Sequence, residues 1–220
     1  MTTRFLLYGS YGFTGSLIAD LAVKRGMRPI LAGRDAVRLK AQAEALDLEY
    51  WPFSVDDRDA LEFGLEQVPV VLNCAGPFHR TFQPLVDACL WMNKHYLDIT
   101  GEIVVFEALA ARDAVARQAG SMLLPGVGFD VVPSDCLAAH LKLRLPNASR
   151  MALAISLYGG GISRGTILSA IEHIPDQGAI RKDGKLVQVP LLWKTRQIDF
   201  GRGLRTAMNI PWGDLSTAYY

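Results

Sequence analysis

A chain of 220 residues, half of them apolar and 20% charged, can form one large or two modest domains with a substantial core. Its net charge of +1 and scattered Lys and Arg residues, with no basic run among aromatics, argue against a nucleic-acid partner. The short apolar run at the N-terminus does not fit a signal peptide, and no later stretch is long enough to span a bilayer. We therefore expect a soluble, cytoplasmic protein without an integral membrane segment.

The cysteines and histidines do not indicate a metal centre. The chain has three cysteines, at positions 74, 89 and 136, and none of them forms a Cys-x-x-Cys pair. An odd number with this spacing fits neither a disulfide framework nor a zinc site. Each is expected to be a reduced, packed thiol. The four histidines have no metal-binding spacing, so structural or surface roles are expected for them and no metal is predicted.

The first 124 residues alternate short aliphatic runs with segments of helical periodicity, the pattern of βα units on a parallel sheet. Asp35 is the predicted N-cap of the second helix, and Asp56 or Asp57 that of the third. This pattern predicts an α/β fold with a Rossmann doubly wound parallel sheet. The predicted strands are Arg4–Tyr8, Pro29–Ala32, Glu49–Phe53, Val68–Asn73, His95–Asp98 and Ser121–Leu124.

After Gly126 the sequence becomes rich in turns. It predicts a helix over Ser134–Arg144 capped by Ser134 or Asp135, a strand over Met151–Tyr158, a helix over Thr166–His173, and then hydrophilic, turn-rich chain. We therefore expect a Rossmann domain over residues 1–132 and part of a second mixed α/β domain over residues 133–220.

A glycine motif, Gly9-Ser-Tyr-Gly12-Phe-Thr-Gly15, follows the first strand and opens the first helix. In this context Gly9 permits the tight turn, Gly12 lets the backbone approach a pyrophosphate, and Gly15 lets the helix pack on the sheet. The alternative is a glycine-rich turn without a ligand. The motif predicts a dinucleotide site with contacts from Gly9, Tyr11, Gly12, Phe13, Thr14 and Gly15.

The end of the second strand favours NADPH over NADH. An arginine at this point can hold a 2′-phosphate, whereas an acidic residue would hold the ribose hydroxyls of NADH. Arg34 stands there, and Arg38 follows one helical turn later, so two guanidinium groups could clamp a phosphate. The alternative is that Asp35 binds the ribose instead of capping the next helix.

Two further loops lie at the carboxyl edge of the predicted sheet, where ligands of this fold bind. Val55 and Asp56 follow the third strand, at a position that commonly meets the adenine. The loop after the fourth strand adds four predicted cofactor contacts, at Cys74, Ala75, Gly76 and Pro77. A bend made by Gly76 and Pro77 without cofactor contact is the alternative for this second loop.

These residues resemble the saccharopine dehydrogenase-like oxidoreductases, in particular the branch that includes the trans-acting enoyl reductases. The resemblance depends on the order and spacing of five segments, Tyr8–Gly15, Leu31–Arg34, Val71–Phe78, Tyr96–Glu102 and Pro125–Asp135. It implies an NADP-linked reductase or dehydrogenase, with a second domain that closes over the nicotinamide and often carries a dimer contact. Members are usually longer, so the resemblance also implies that the second domain is incomplete here.

Polar residues follow the fifth and sixth strands, where a proton donor for hydride transfer would be needed. Asp98, Glu102 and Asp130 are the candidate catalytic residues, with Thr100 and Asp135 close to them in sequence. The alternative is structural: Thr100 or Glu102 could start the next helix, and Asp135 could cap the one after it. The loop from Ser163 to Thr166 could bind an anionic substrate group or be purely structural.

The leading hypothesis is therefore NADP(H)-dependent hydride transfer to or from a carbonyl, imine or enoyl compound, either small or lipid-like. Short-chain dehydrogenase chemistry is excluded, because no tyrosine is followed four residues later by lysine. One alternative is a sensor or scaffold protein that binds NADP(H) without catalysis. Another is that the 220 residues form an inactive fragment, because an incomplete second domain would not exclude water.

Overall fold

The computed structural model describes residues 4–156, 158–159 and 178–220. All six predicted strands are present; their first residues differ from the prediction by up to two positions and their last residues by at most one. The strands are β1 (Leu6–Tyr8), β2 (Ile30–Gly33), β3 (Tyr50–Pro52), β4 (Val70–Asn73), β5 (His95–Asp98) and β6 (Leu123–Leu124). They form one parallel sheet in the order β3-β2-β1-β4-β5-β6, which confirms the doubly wound fold.

Helices connect the strands and cover both faces of the sheet. Those of the first part of the chain are α1 (Phe13–Lys24), α2 (Ala36–Leu46), α3 (Arg58–Glu66), α4 (Phe78–Trp91), α5 (Ile103–Ala110), α6 (Asp113–Ala119) and α7 (Val132–Arg144). None of the helices in the described ranges is both long and apolar enough to cross a membrane.

The core forms on the two faces of the sheet because side chains alternate along each strand. Leu6 and Tyr8 of β1 belong to the larger cluster, which also takes residues of α3, α4 and α5. Leu7 points to the other face, where it packs with Ala19 of α1 and Leu39 of α2. Both faces of β1 are therefore buried, as expected for the central part of a parallel sheet.

The strand order reverses between β1 and β4, which are direct neighbours in the sheet. Leu6 of β1 pairs with Ile30 on one side and with Val71 on the other. The chain therefore runs outward from β1 to β3, returns to β4 beside β1, and continues outward to β6. In such sheets the loops after the two central strands diverge and leave a crevice at the carboxyl edge.

Side-chain caps were predicted for α2, α3 and α7; the first two are confirmed and the third is wrong. The Asp35 side chain accepts hydrogen bonds from the backbone N–H groups of Val37 and Arg38, and Asp57, not Asp56, caps α3. Helix α7 begins at Val132, two residues before the predicted start, and has no side-chain cap. Pro133 lies in its first turn, where its missing N–H costs no helical hydrogen bond.

The predicted caps of α7 have other partners instead. Ser134 donates a hydrogen bond to Asp214, and the Asp135 carboxylate accepts one from Thr217. Both partners belong to α8 (Asp214–Thr217), a single turn near the end of the chain. The two side chains therefore fix α8 against α7.

The strand predicted over Met151–Tyr158 is wrong for the part that can be described, because residues 151–156 and 158 lie in no strand. The predicted helix over Thr166–His173 and the Ser163–Thr166 loop lie outside the described residues. Two antiparallel hairpins replace the expected turn-rich chain, β7 (Gly178–Lys182) with β8 (Lys185–Val189) and β9 (Thr195–Asp199) with β10 (Leu204–Met208).

The β7–β8 hairpin is fixed to the main sheet through α5. Arg181 of β7 forms an ion pair with Glu107 of α5 at 2.8 Å, and its guanidinium lies 4.2 Å from the centre of the Tyr219 ring. Ser216 of α8 donates a hydrogen bond to the same Glu107 carboxylate at 2.7 Å. These contacts anchor the last part of the chain on the Rossmann sheet.

The three cysteines are all free thiols, but they differ in burial. Cys89 is buried and Cys74 partly buried, whereas Cys136 on α7 is exposed. The expectation that every thiol is packed is therefore wrong for Cys136, because α7 buries only Ala138.

Candidate active site

The glycine loop passes so close to neighbouring backbone that side chains are excluded at two of its positions. Gly9 has φ +79°, and a Cβ there would lie 2.8 Å from the backbone nitrogen of Ala75 in the loop after β4. A Cβ on Gly15 would overlap the carbonyl oxygen of Gly9. The loop therefore lies tightly between the ends of β1 and β4, at the reversal of strand order.

Helix α1 opens at this loop without the side-chain cap that α2 and α3 have. Its N-cap residue is Gly12, which has no side chain, and its first turn contains no acidic residue. Phe13 and Thr14, the first two residues of the helix, are exposed. Uncapped amides at the start of a helix carry partial positive charge and bind phosphate groups, so this end of α1 fits a pyrophosphate.

The two predicted phosphate-binding arginines are both exposed: Arg34 lies on the turn between β2 and α2, and Arg38 lies in the first turn of α2. The Arg38 guanidinium donates a hydrogen bond to the carbonyl oxygen of Tyr11 at 2.9 Å and lies 4.6 Å from the centre of the Tyr11 ring. Within the described part of the chain, Arg34 has no hydrogen bond or ion pair from its guanidinium. The structure therefore brings Tyr11, Arg34 and Arg38 together at this edge.

Tyr8, a residue that the sequence analysis did not select, lies beneath the same turn. Its hydroxyl group donates a hydrogen bond to the carbonyl oxygen of Phe53 at 3.3 Å. Burial raises the pKa of Tyr8 to about 12. The positive charge of Arg34 acts to lower this pKa, and the negative charge of Asp56 acts to raise it. Val55 is buried in the core and Asp56 is exposed, so of these two predicted adenine contacts only the Asp56 side chain faces solvent.

The loop after β4 is shaped by Asn73, a buried residue at the end of the strand. Its side-chain oxygen accepts a hydrogen bond from the Ala75 N–H at 2.9 Å, and its amide group donates to Thr81 and Tyr96. The Gly76–Pro77 peptide bond that follows is cis. Asn73 thus holds the predicted contacts Cys74, Ala75, Gly76 and Pro77 in one turn between β4 and α4.

Asp98, at the end of β5, is fully buried and bonded on several sides. Its carboxylate accepts hydrogen bonds from the Tyr96 hydroxyl at 2.9 Å and from the N–H groups of Thr100 and Gly126 at 3.0 and 2.8 Å. Burial raises the pKa of Asp98 to about 6, although these hydrogen bonds act in the opposite direction. The carboxylate therefore joins the loops that follow β5 and β6.

Asp98 also influences the thiol of Cys74 in the neighbouring loop. Burial and, to a smaller extent, the negative charge of Asp98 together raise the pKa of Cys74 to about 12. The thiol is therefore protonated at neutral pH, which makes it a poor nucleophile.

Glu102 is the N-cap residue of α5, but its side chain makes no capping bond there. Its carboxylate instead accepts hydrogen bonds from the backbone N–H groups of Phe78 and His79 at the start of α4, each at 2.8 Å. The same carboxylate lies 2.9 Å from Nδ1 of His79. The structural alternative is thus correct in part: α5 starts after Glu102, but the side chain caps the preceding helix.

Asp130 differs from the other two candidates because it is exposed. Its carboxylate lies close to Gly101, in the loop after β5, and neighbouring protein atoms shield it enough to raise its pKa. Its carbonyl oxygen accepts a hydrogen bond from the Trp212 indole at 2.8 Å. Trp212 therefore ties the loop after β6 to the segment just before α8.

Comparison with known proteins identifies the class. Residues 5–124 match the saccharopine dehydrogenase NADP binding domain family, and this stretch spans β1 to β6. The chain therefore belongs to the saccharopine dehydrogenase NADP binding domain family. NADP(H) is accordingly its cofactor, and the resemblance seen in the sequence motifs is confirmed.

The similar curated proteins include trans-acting enoyl reductases. That of Mycobacterium leprae is 36% identical over 148 residues, which cover 64% of this chain and 35% of the relative. A protein of Mycobacterium tuberculosis, whose name as a trans-acting enoyl reductase is provisional, is 32% identical over 180 residues and covers 76% of this chain. The chain spans 43% of the length of that second relative.

Among solved structures, the apo form of saccharopine dehydrogenase (L-Glu forming) from Saccharomyces cerevisiae has a similar fold. It superimposes with a TM-score of 0.61 at 17% sequence identity, over 91% of this chain and 47% of that one. At this identity the likeness concerns the fold alone, and it extends beyond the six-stranded sheet.

Proposed function

We propose that this chain binds NADP(H) along the carboxyl edge of its sheet and transfers hydride between the cofactor and a carbonyl, imine or enoyl substrate. The observation that carries the proposal is the uncapped start of α1, which lies beside two exposed arginines. A pyrophosphate at α1 and a 2′-phosphate at Arg34 and Arg38 would satisfy both features. The predicted contacts from Gly9 to Gly15 and at Asp56 belong to this half of the site.

The other half of the proposed site is the loop from Cys74 to Pro77, next to Asp98 and Glu102. The bound nicotinamide supplies the hydride chemistry, and the residues of the chain orient it and the substrate. Asp98 and Glu102 contribute by fixing the loops, since their carboxylates bond backbone N–H groups. Asp130 is the exposed carboxylate of the three, and its raised pKa favours a role as proton donor.

The names of the relatives favour an enoyl substrate within this range. Enoyl reduction adds hydride to one carbon and a proton to the next, so a proton donor near the cleft is required. The chain covers less than half of these relatives, so the activity of the whole protein is part of the proposal. The division into a cofactor domain at residues 1–132 and a partial substrate domain at 133–220 also remains a prediction.

The test combines binding with turnover. NADPH is titrated into the full chain, and its oxidation is then followed with a panel of enoyl, carbonyl and imine compounds. We expect binding of NADPH in preference to NADH, and oxidation with at least one compound, reduced at least 10-fold in Asp130→Asn. Failure to bind NADPH would overturn the proposed cofactor site, whereas binding without turnover on any compound would count against catalysis.

A second candidate function is a sensor or scaffold that binds NADP(H) without catalysis. It is favoured because the carboxylates of Asp98 and Glu102 accept hydrogen bonds from backbone N–H groups. Of the three candidate acids, Asp130 alone is exposed. A partner protein that binds in the presence of NADPH but not of NADP⁺, together with the absence of turnover, would support this function over the first.

A further inference from the structure

The side chain of Tyr11 spans the gap between the glycine loop and the turn after β2. Its phenol oxygen accepts hydrogen bonds from the backbone N–H groups of Arg34 and Asp35, both at 3.2 Å. These N–H groups lie on the turn that carries the Arg34 guanidinium. A single side chain thus links two loops that are 23 residues apart in sequence.

The ring of Tyr11 reaches this position because Gly33 makes room for it. A Cβ on Gly33 would lie 2.6 Å from a carbon of the Tyr11 ring, a distance that real side chains do not tolerate. An alanine at position 33 would therefore displace the ring and break the link. Gly33 and Tyr11 form a matched pair at the end of β2.

The same ring also fixes Arg38. The guanidinium lies 4.6 Å from the ring centre, within the range of a cation–π contact, and it donates to the Tyr11 carbonyl oxygen at 2.9 Å. An exposed arginine otherwise samples many rotamers, and the loss of that freedom on binding opposes affinity. Tyr11 therefore restricts Arg38 before any ligand arrives, while most of the five guanidinium N–H donors remain available.

Asp35, the remaining charged group on this turn, does not oppose an anion as strongly as its charge alone suggests. One of its carboxylate oxygens accepts the N–H groups of Val37 and Arg38 at the start of α2. This geometry commits the Asp35 carboxylate to capping, as predicted, and not to the guanidinium groups of Arg34 and Arg38. The two guanidinium groups outweigh the one carboxylate, so these three side chains together carry a net positive charge.

We propose that Tyr11 is the positioning residue that gives this site its selectivity for a 2′-phosphate, because it holds Arg38 and the Arg34 turn in place for the phosphate. The inference rests on the proposed binding of NADP(H) at this edge. A pre-positioned pair of guanidinium groups recognises a phosphate by geometry as well as by charge. Tyr11 should therefore affect ligands that carry the 2′-phosphate more than ligands that lack it.

The experiment compares two small probes that differ by one group, adenosine 2′,5′-bisphosphate and 5′-AMP. Both are titrated calorimetrically into the full chain and into Tyr11→Phe, which keeps the ring but removes the oxygen that bonds the turn. We expect the affinity ratio of bisphosphate to 5′-AMP to fall about 3- to 10-fold in the variant, the loss typical of a hydrogen bond. The affinity for 5′-AMP should change less than about 2-fold.

Two further variants make the outcome decisive. Tyr50→Phe removes a hydroxyl group at the start of β3, away from the carboxyl edge, and should leave the ratio unchanged. Gly33→Ala displaces the Tyr11 ring but keeps both arginines, and it should lower the ratio as Tyr11→Phe does. It also tests the inference if Tyr11→Phe does not fold.

Each result separates the inference from the proposed function. An equal loss of both probes in Tyr11→Phe, or an unchanged ratio, would show that Tyr11 has no role in selectivity, even with NADPH bound normally by the unmodified chain. A chain that binds neither NADPH nor the bisphosphate would overturn the proposed cofactor site, and the inference with it.

Discussion

Glu102 accepts the backbone N–H of His79 at 2.8 Å and lies 2.9 Å from Nδ1 of the same residue. One carboxylate after β5 thereby fixes the first turn of α4, which follows β4. The two neighbouring loops of the candidate site are thus held by a charge-assisted contact, which is stronger than a neutral one.

Loss of this contact should destabilise the protein. Glu102→Ala leaves the N–H groups of Phe78 and His79 without this acceptor in a partly buried place, and we expect the free energy of unfolding to fall by roughly 1–3 kcal/mol. Urea unfolding followed by circular dichroism measures the change. Glu44→Ala, which removes one member of an exposed ion pair on α2, is the control and should change stability by less than about 1 kcal/mol. Equal effects of the two substitutions would contradict the prediction.

Arg34 should contribute to the choice between the two nicotinamide cofactors. Arg34→Ala removes a charged partner of the proposed 2′-phosphate, so NADPH affinity is expected to fall about 10-fold or more, with little change for NADH. Fluorescence titration of both reduced cofactors gives the ratio. Arg25→Ala, at the opposite end of α1 from the glycine loop, is a control of the same type and should alter neither affinity. A parallel loss of both cofactors in Arg34→Ala would refute a specific role.

Gly15 and Gly64 offer a comparison of one substitution in two settings. At Gly15 a Cβ would overlap the Gly9 carbonyl oxygen, so Gly15→Ala must shift the loop and should abolish NADPH binding and lower stability. Gly64 lies within α3, where a Cβ would make ordinary contacts of 3.5 Å and more. Gly64→Ala should therefore raise stability by about 0.5–1 kcal/mol and leave cofactor binding unchanged. NADPH binding retained by Gly15→Ala would show that the loop tolerates a side chain.

Asp98 should make stability depend on pH between about 4 and 7. Its pKa is about 6 in the folded chain, against 3.8 when unperturbed, so the folded state binds the extra proton. The stabilisation is complete below the unfolded pKa and is lost as the pH rises through 6, by roughly 3 kcal/mol in total. In Asp98→Asn this component should be absent, so its stability relative to the unmodified chain should rise with pH. Urea unfolding at four pH values tests this, and parallel curves for the two proteins would disprove it.

The sequence predicted the sheet well because its signals are local. Each of the six strands is a short apolar run between turn residues, and Asp35 and Asp57 cap the helices that follow two of them. The glycine spacing likewise indicated the tight turn that follows β1. Such features depend on neighbours along the chain, so one sequence is enough to show them.

The errors arose where distant residues determine the structure. Ser134 and Asp135 look like helix caps, but their partners Asp214 and Thr217 lie about 80 residues further along the chain. The roles of Glu102 and Tyr11 depend on the same kind of distant contact, and no local signal shows either of them. The β7–β8 hairpin did have a local signal, the dipeptide Asp183-Gly184, which is typical of two-residue hairpin turns. Both residues have the positive φ that such a turn requires.

The reversal of strand order has a consequence for dissection of the molecule. Residues 4–66 form β1, β2 and β3 with their helices, and residues 70–124 form the other three strands. The two sets meet through the pairing of Leu6, Leu7 and Tyr8 with Val71, Leu72 and Asn73. A polypeptide cut between Glu66 and Val70 would yield two pieces, each with half of the proposed site. Their reassembly should then depend on the concentration of dinucleotide, because a ligand that contacts both pieces stabilises the assembled form over the separate pieces.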